Sequence, residues 1–478
     1  MKRREFIKHG STAASLSLLG YAQKKAEAAT SGRPFITCRK DKKLIGVYCS
    51  IDEILDHPEY IDRLQEKLGC NVIILSAPGV NYPRDILKLA PFSPETNQWI
   101  GIGYSQEENK INLCAEEIHK RNMDIWLIGS GHYDRGNNDA FSPVDFNGML
   151  LRNQTVPKYA IESSTALCFQ KQRIINWQVN AYSWICNNHD IDALYLTHHR
   201  YNAPSIYSQL WGCTCADCRK AANRLGYDFD RMGKAMIKLE TDLNTLTKER
   251  IKTMASLGFS LGDFIQAVTG GNDILDWIEF RAKAVTDSLS RVNRAIKTST
   301  QGKCAFIIDT VGPTFSLLVG HDLKDFTGKV SDAYYPMAWV DYHYMSVPAA
   351  WAQALVERVP NLDERTALEA VYKFIGWDDI DLPRNSIADI HIGATRNEHS
   401  IEDFYSHFKK YVPGLMTHEY KHGALLNTNN YPSYQTVFPH FWGAEITEPL
   451  FDVIMDTGHD GYIFEISAQP FVNKPEKG

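Results

Sequence analysis

The sequence predicts a (β/α)8 barrel of the TIM type, with long helical insertions in its βα loops, on three observations. Eight short apolar runs alternate with longer amphipathic stretches from residue 44 onward. The runs are almost continuously apolar, as expected of strands in a parallel sheet covered on both faces. No glycine-rich phosphate loop follows the first run, because Cys49-Ser50-Ile51-Asp52 is not a G-x-G-x-x-G turn. An open dinucleotide-binding sheet therefore loses its best support.

The elements follow in order. The first run is Leu44–Tyr48, with a helix expected near 57–68. The second is Asn71–Leu75, followed by a Pro/Asn-rich loop and a helix near 107–121, and the third is Asp124–Ile128. A helix near 170–188 leads into the fourth run, Ala193–Leu196. Apolar residues three and four apart in 216–256 and 277–300 mark a helical insertion over about 202–300. The fifth run is Cys304–Ile308, the sixth lies near Asp332–Tyr335, the seventh is Ala424–Asn427 and the eighth Tyr462–Ile466. A second insertion, over about 340–400, is rich in Trp, His and Asp, and the barrel domain is expected to span 40–470.

Composition excludes several alternatives. With 478 residues, 44% hydrophobic, 23% charged, 31 Gly and 20 Pro, the chain is neither disordered, collagenous nor a coiled coil. Lys and Arg number 51 against 57 Asp and Glu, so the clustered basic charge that nucleic acid requires is not expected. No run of 18 or more apolar residues follows the N-terminal segment, so no membrane span is expected. Ten Trp, 23 Tyr and 21 Phe suit a site that stacks flat apolar faces against a ligand.

Residues 1–29 read as a removable address. Arg3-Arg4 is followed by Phe6-Ile7-Lys8, a modest apolar run from Ala13 to Ala22 and the small-x-small Ala26-Glu27-Ala28. The pattern resembles the bacterial twin-arginine signal, which implies a periplasmic or secreted protein. Its removal takes the formal charge from −6 to −10.

Four cysteines suggest one site. Cys213, Cys215 and Cys218 lie within six residues, and a tetrahedral zinc needs one further ligand. A disulfide with free thiols is the alternative in an oxidising compartment. The cluster resembles that of the β-galactosidase family 42 of glycoside hydrolases, where a further upstream Cys completes a zinc site, and the resemblance assigns that place to Cys168. The wider pattern resembles exported bacterial glycosyl-hydrolase-type barrels: Asp192 to Tyr201, then the cluster, then Ala222–Asp228 (ANRLGYD), with Val319–Asp322 and Tyr335–Met337. The resemblance implies a structural zinc, no organic cofactor and a carbohydrate substrate.

Barrel enzymes place their chemistry at the C-terminal strand ends. Asp309 and Glu465, each ending an apolar run, are the expected catalytic carboxyl pair for glycoside hydrolysis. Family 42 carries its acid/base Glu after strand four, where this chain has Thr197-His198, so His198 or the neighbouring His199 is the expected proton shuttle, with His198 the first choice. Arg200, Tyr201, His132, Trp339 and Asn427 are expected to bind substrate, with Trp126, Tyr133, Trp211, Tyr342 and Tyr344 as further stacking platforms. Two other functions fit the same residues. His132, His198, Asp309 and Glu465 suit a metal-dependent sugar isomerase, epimerase or lyase. The missing acidic residue at Thr197 suits a non-catalytic carbohydrate-binding barrel.

Overall fold

The computed structural model describes residues 43–76, 82–90, 108–130, 139–153, 167–202, 204–205, 210, 212–258, 273–391 and 400–475. Residues 1–29, Cys38, His132, Tyr133 and Trp211 lie outside these described residues.

Strand β1 (Leu44–Cys49) ends at Ser50, whose side chain and Glu53 form a reciprocal cap that starts helix α1 (Ile51–Leu55). Helix α2 (Pro58–Leu68), with Pro at its first position and left-handed Gly69 at its end, leads into β2 (Val72–Leu75). Then come α3 (Arg84–Leu87), α4 (Glu108–His119), β3 (Asp124–Ser130), α5 (Gln172–Asn188) and β4 (Ala193–Thr197). The described part of the insertion is mainly helical: α6 (Ala216–Leu225), α7 (Phe229–Leu243), α8 (Lys248–Leu257) and the 28-residue α9 (Asp273–Thr300). Strand β5 (Ala305–Thr310) is followed by the single turn α10 (Pro313–Ser316) and by β6 (Ala333–Pro336). After it lie α11 (Ser346–Arg358), α12 (Glu364–Ile375), α13 (Ile401–Phe408) and α14 (Val412–Leu426). Strand β7 (Gln435–Val437), α15 (Pro439–Trp442), α16 (Ala444–Asp456) and β8 (Gly461–Phe464) complete the chain.

All paired strands are parallel, in the order β6-β5-β4-β3-β2-β1-β8-β7. The two ends meet through Tyr334, whose N–H donates to Pro432 O at 3.2 Å and whose carbonyl accepts from Tyr434 N at 3.1 Å. The sheet is thus a (β/α)8 barrel. No helix among the described residues is long and apolar enough to cross a membrane.

The seventh strand is a correction. Ala424–Leu426 ends helix α14, and the strand itself is Gln435–Val437. A four-residue apolar run does not separate a strand from a buried helix turn. Here the helical phase, set from Val412 onward with Pro413 in its first turn, carries the chain through Leu426.

Side chains alternate across each strand, so one set fills the barrel. Leu44, Val72, Ile74, Trp126, Ala193, Tyr195, Ala305, Ile307, Ala333, Tyr335 and Ile463 form this interior. The packing is tight enough that a Cβ on Gly46 would meet Ile463 at 3.2 Å. The other face of the sheet joins the larger core against the helices.

Candidate functional site

The inward series of four strands runs out of apolar residues at the C-terminal mouth. Leu44 and Gly46 continue to Tyr48, Ala193 and Tyr195 to Thr197, Ala305 and Ile307 to Asp309, and Ile463 to Glu465. Strand period alone therefore aims two carboxyl groups, a hydroxyl and a phenol at one end of the barrel.

Asp309 is buried and accepts three hydrogen bonds. Its donors are the Tyr195 hydroxyl at 2.8 Å, the His198 backbone N–H at 3.0 Å and the Thr197 hydroxyl. Thr197 Oγ1 also lies 2.5 Å from His198 Nδ1. With its proton given to Asp309, that oxygen accepts from Nδ1–H and leaves Nε2 as the basic nitrogen of His198. His198 has φ 60°, in the left-handed region, and the bond from its N–H to Asp309 holds that backbone.

Glu465 stands opposite in chemical character. Its Oε1 accepts from Trp339 Nε1 at 2.7 Å, and its buried Oε2 has no hydrogen-bond partner among the described residues. Burial pushes its carboxyl up to about 8, opposed by the Trp339 bond and reinforced by the charge of Asp309. At neutral pH Glu465 therefore carries a proton, on the oxygen that Trp339 does not occupy. Ile466, next in the chain, has φ 68°, which is costly for a β-branched residue.

Three phenols lie beneath the carboxyl groups. Tyr48 and Tyr335 share a hydrogen bond at 2.9 Å, and the Tyr195 and Tyr335 rings lie 4.9 Å apart. Burial pushes all three hydroxyls up, so they remain neutral donors and acceptors. Tyr335 lies in the Tyr335–Met337 match, whereas Tyr48 and Tyr195 are not among the expected site residues, although the two-residue period of the strands marks each as inward-facing. Trp339 packs edge-on against Phe438 at 4.7 Å, giving Glu465 an apolar wall.

Several residues expected at the mouth lie elsewhere. Arg200 is fully buried and donates to the Tyr201 carbonyl at 3.1 Å. Tyr201 is covered by the Arg281 guanidinium of α9, 4.1 Å from its ring centroid. Asn427 caps α14 and closes the turn before β7, bonding both the carbonyl (2.7 Å) and the N–H (2.9 Å) of Tyr431. It therefore precedes β7, at the N-terminal end of the barrel, away from Asp309 and Glu465. Trp126 fills the barrel interior, and Tyr344 is buried against Gly312. His199 is stacked on Phe169 at 4.6 Å, and burial pushes it down to about 3, as a neutral core histidine.

The four cysteines converge. Cys168 Sγ lies 3.6 Å from Cys215 Sγ and 3.5 Å from Cys218 Sγ, and the four sulfurs lie within 4.8 Å of one another. Disulfide sulfurs stand about 2.05 Å apart, so these are unbonded thiols. Zinc–sulfur bonds of about 2.3 Å set tetrahedral edges of about 3.8 Å, which the observed separations approach. The N–H of Val144 donates to Cys213 Sγ at 3.4 Å, an outer contact of the kind that orients a ligating thiolate. The donor set fits zinc.

No family model matches the chain, and no curated protein matches it. Among solved structures it is similar to the PgaB (BpsB) glycoside hydrolase domain of Bordetella bronchiseptica, at 10% identity over 90% of this chain and 95% of that one, with TM-score 0.45. The catalytic domain of the β-amylase of Paenibacillus polymyxa shows 10% identity over 88% and 92% of the two chains, with TM-score 0.44. The β-galactosidase of Halorubrum lacusprofundi shows 12% identity over 88% of this chain and 52% of that one, with TM-score 0.42.

Proposed function

We propose that the chain is a glycoside hydrolase acting on a carbohydrate through Glu465 as general acid and Asp309 as the partner carboxylate. One observation carries this reading: two carboxyl groups at the barrel mouth have opposite hydrogen-bonding environments. Glu465 is kept protonated by burial, with Oε2 available to protonate a glycosidic oxygen. Asp309 is surrounded by donors, as suits a carboxylate that works as nucleophile or base. It acts directly or through Thr197 and His198, whose Nε2 is the basic nitrogen of that relay. Trp339 orients the acid and is only partly buried, so part of its ring is open to a sugar face.

Metal-dependent isomerisation has less support, since His198, Asp309 and Glu465 do not belong to a group of described residues whose ligand atoms converge within 4.8 Å. Cys168, Cys213, Cys215 and Cys218 would hold a zinc that is structural, because four thiolates leave no position for a substrate water. The N-terminal segment fits export to the periplasm.

Turnover of a panel of aryl glycosides and polysaccharides by the wild type, Glu465→Gln and Asp309→Asn tests the reading. Each variant should lose at least about a thousandfold in kcat. Full activity in both variants removes the assignment. Saturable carbohydrate binding without turnover in the wild type replaces it with a binding barrel.

A further inference from the structure

A second cluster lies on α14, outside the barrel mouth. His418 and His422 are one helical turn apart and share a face, with their ring centroids 5.8 Å apart. Glu419 turns inward and is fully buried, whereas the His418 side chain is 34% exposed. The helix approaches α10 closely at Gly423, where a Cβ would meet Pro313 at 3.1 Å. That approach lets Thr314 donate both its N–H (3.2 Å) and its hydroxyl (2.5 Å) to Glu419, while Trp377 Nε1 donates at 3.2 Å. The carboxylate is thus fixed before any ligand arrives.

Two features distinguish this cluster from an ordinary buried glutamate. Its ion-pair partner among the described residues is His418, at 3.1 Å, which is cationic only when protonated. The ligand atoms of His418, Glu419 and His422 all lie within 4.8 Å of one another. Bonds of about 2.0–2.1 Å to nitrogen and oxygen set tetrahedral edges of about 3.4 Å, so the His418–Glu419 separation is already that of two ligands on one ion. His422 completes the set by rotation of a half-buried ring whose Nδ1 lies 3.4 Å from Thr314 Oγ1.

We propose that His418, Glu419 and His422 form a second metal site for a divalent transition-metal ion of the zinc, cobalt or nickel class. Both imidazoles and one Glu419 oxygen are the protein ligands, and water completes the shell. The spacing is H-E-x-x-H, in which the Glu commonly serves as base for hydrolysis. Here Glu419 is 0% exposed and held by Thr314 and Trp377, so the site binds metal without hydrolytic chemistry. All three ligands come from α14, and Glu419 is held by Thr314 of α10, the first helical turn after the strand that carries Asp309.

The test is cobalt and zinc binding by the purified full chain, chelator-stripped and under reducing conditions. Cobalt in the cysteine cluster gives thiolate charge-transfer absorption, whereas cobalt on two imidazoles and a carboxylate gives only visible ligand-field bands. The wild type should bind an ion with the second signature, and His418→Gln/His422→Gln should weaken that binding at least about tenfold while keeping the thiolate bands. His418→Gln alone, altering a half-exposed side chain, should weaken it without changing the melting temperature of the metal-free chain. Unchanged zinc stoichiometry and affinity in both variants would overturn the site, as would a wild type that shows only the thiolate signature. Neither result bears on Glu465 and Asp309, which are tested by turnover.

Discussion

Glu465 offers a test of the site that needs no substrate. Its carboxyl stands at about 8 in the folded chain against an ordinary 4.5. At about 1.4 kcal/mol per tenfold change, that gap is worth up to about 5 kcal/mol. The sign follows from proton counting. Between the two values the unfolded chain releases this proton and the folded chain keeps it, so this contribution to stability falls as pH rises from about 4.5 to about 8. At pH 7 the accumulated loss is about 3 kcal/mol. Glu465→Gln keeps the shape and the acceptor for Trp339 but has no proton to lose. The variant should gain stability relative to wild type by about 1.4 kcal/mol per pH unit through that window. Urea unfolding of both proteins at pH 4.5, 5.5, 6.5 and 7.5 measures the difference, with slopes in urea compared to check two-state behaviour. Parallel stability curves for the two proteins would refute the reasoning, because they mean that Glu465 ionises alike in both states.

Four further outcomes follow from particular contacts. Hydrolytic activity should fall above pH about 8 as Glu465 loses its proton, and Trp339→Phe, which removes the bond favouring the anion, should move that limb to higher pH in a pH–rate profile. Metal analysis should find zinc retained through gel filtration, and Cys213→Ser or Cys218→Ser should release it and lower stability by several kcal/mol in chemical denaturation, about 3 or more. Gly461→Ala should cost more than about 2 kcal/mol in the same assay, since φ is 153° and the new Cβ would stand 2.0 Å from the Leu44 carbonyl oxygen. Replacing Arg3 and Arg4 by Lys should leave the protein in the cytoplasm on cell fractionation.

Seven of the eight strands were legible in outline, because burial on both faces leaves a continuous apolar run that overlaps the observed strand. The seventh failed where its signal was four residues long, too short to separate β from the last turn of a helix. At the site, Asp309 and Glu465 were legible as charged residues ending apolar runs, and the same two-residue period points to Tyr48, Tyr195 and Tyr335. Arg200 and Tyr201 looked alike in sequence, as polar residues just past a strand. Both are buried, Tyr201 beneath the Arg281 guanidinium of the long α9, and neither is left open as a strand-end polar group.

The sequence by itself determined the alternation of strand and helix, the inward faces of the strands and the local spacing of Cys213, Cys215 and Cys218, all of which depend on neighbours a few residues apart. The tertiary structure decided the rest. It brings Cys168 to a cluster 45 to 50 residues away in the chain, fixes Asp309 among donors from β4, and surrounds Glu465 with a Trp339 bond and apolar walls. Whether a carboxyl group holds its proton depends on the water, charges and donors around it, and for these groups those come mostly from other strands of the barrel.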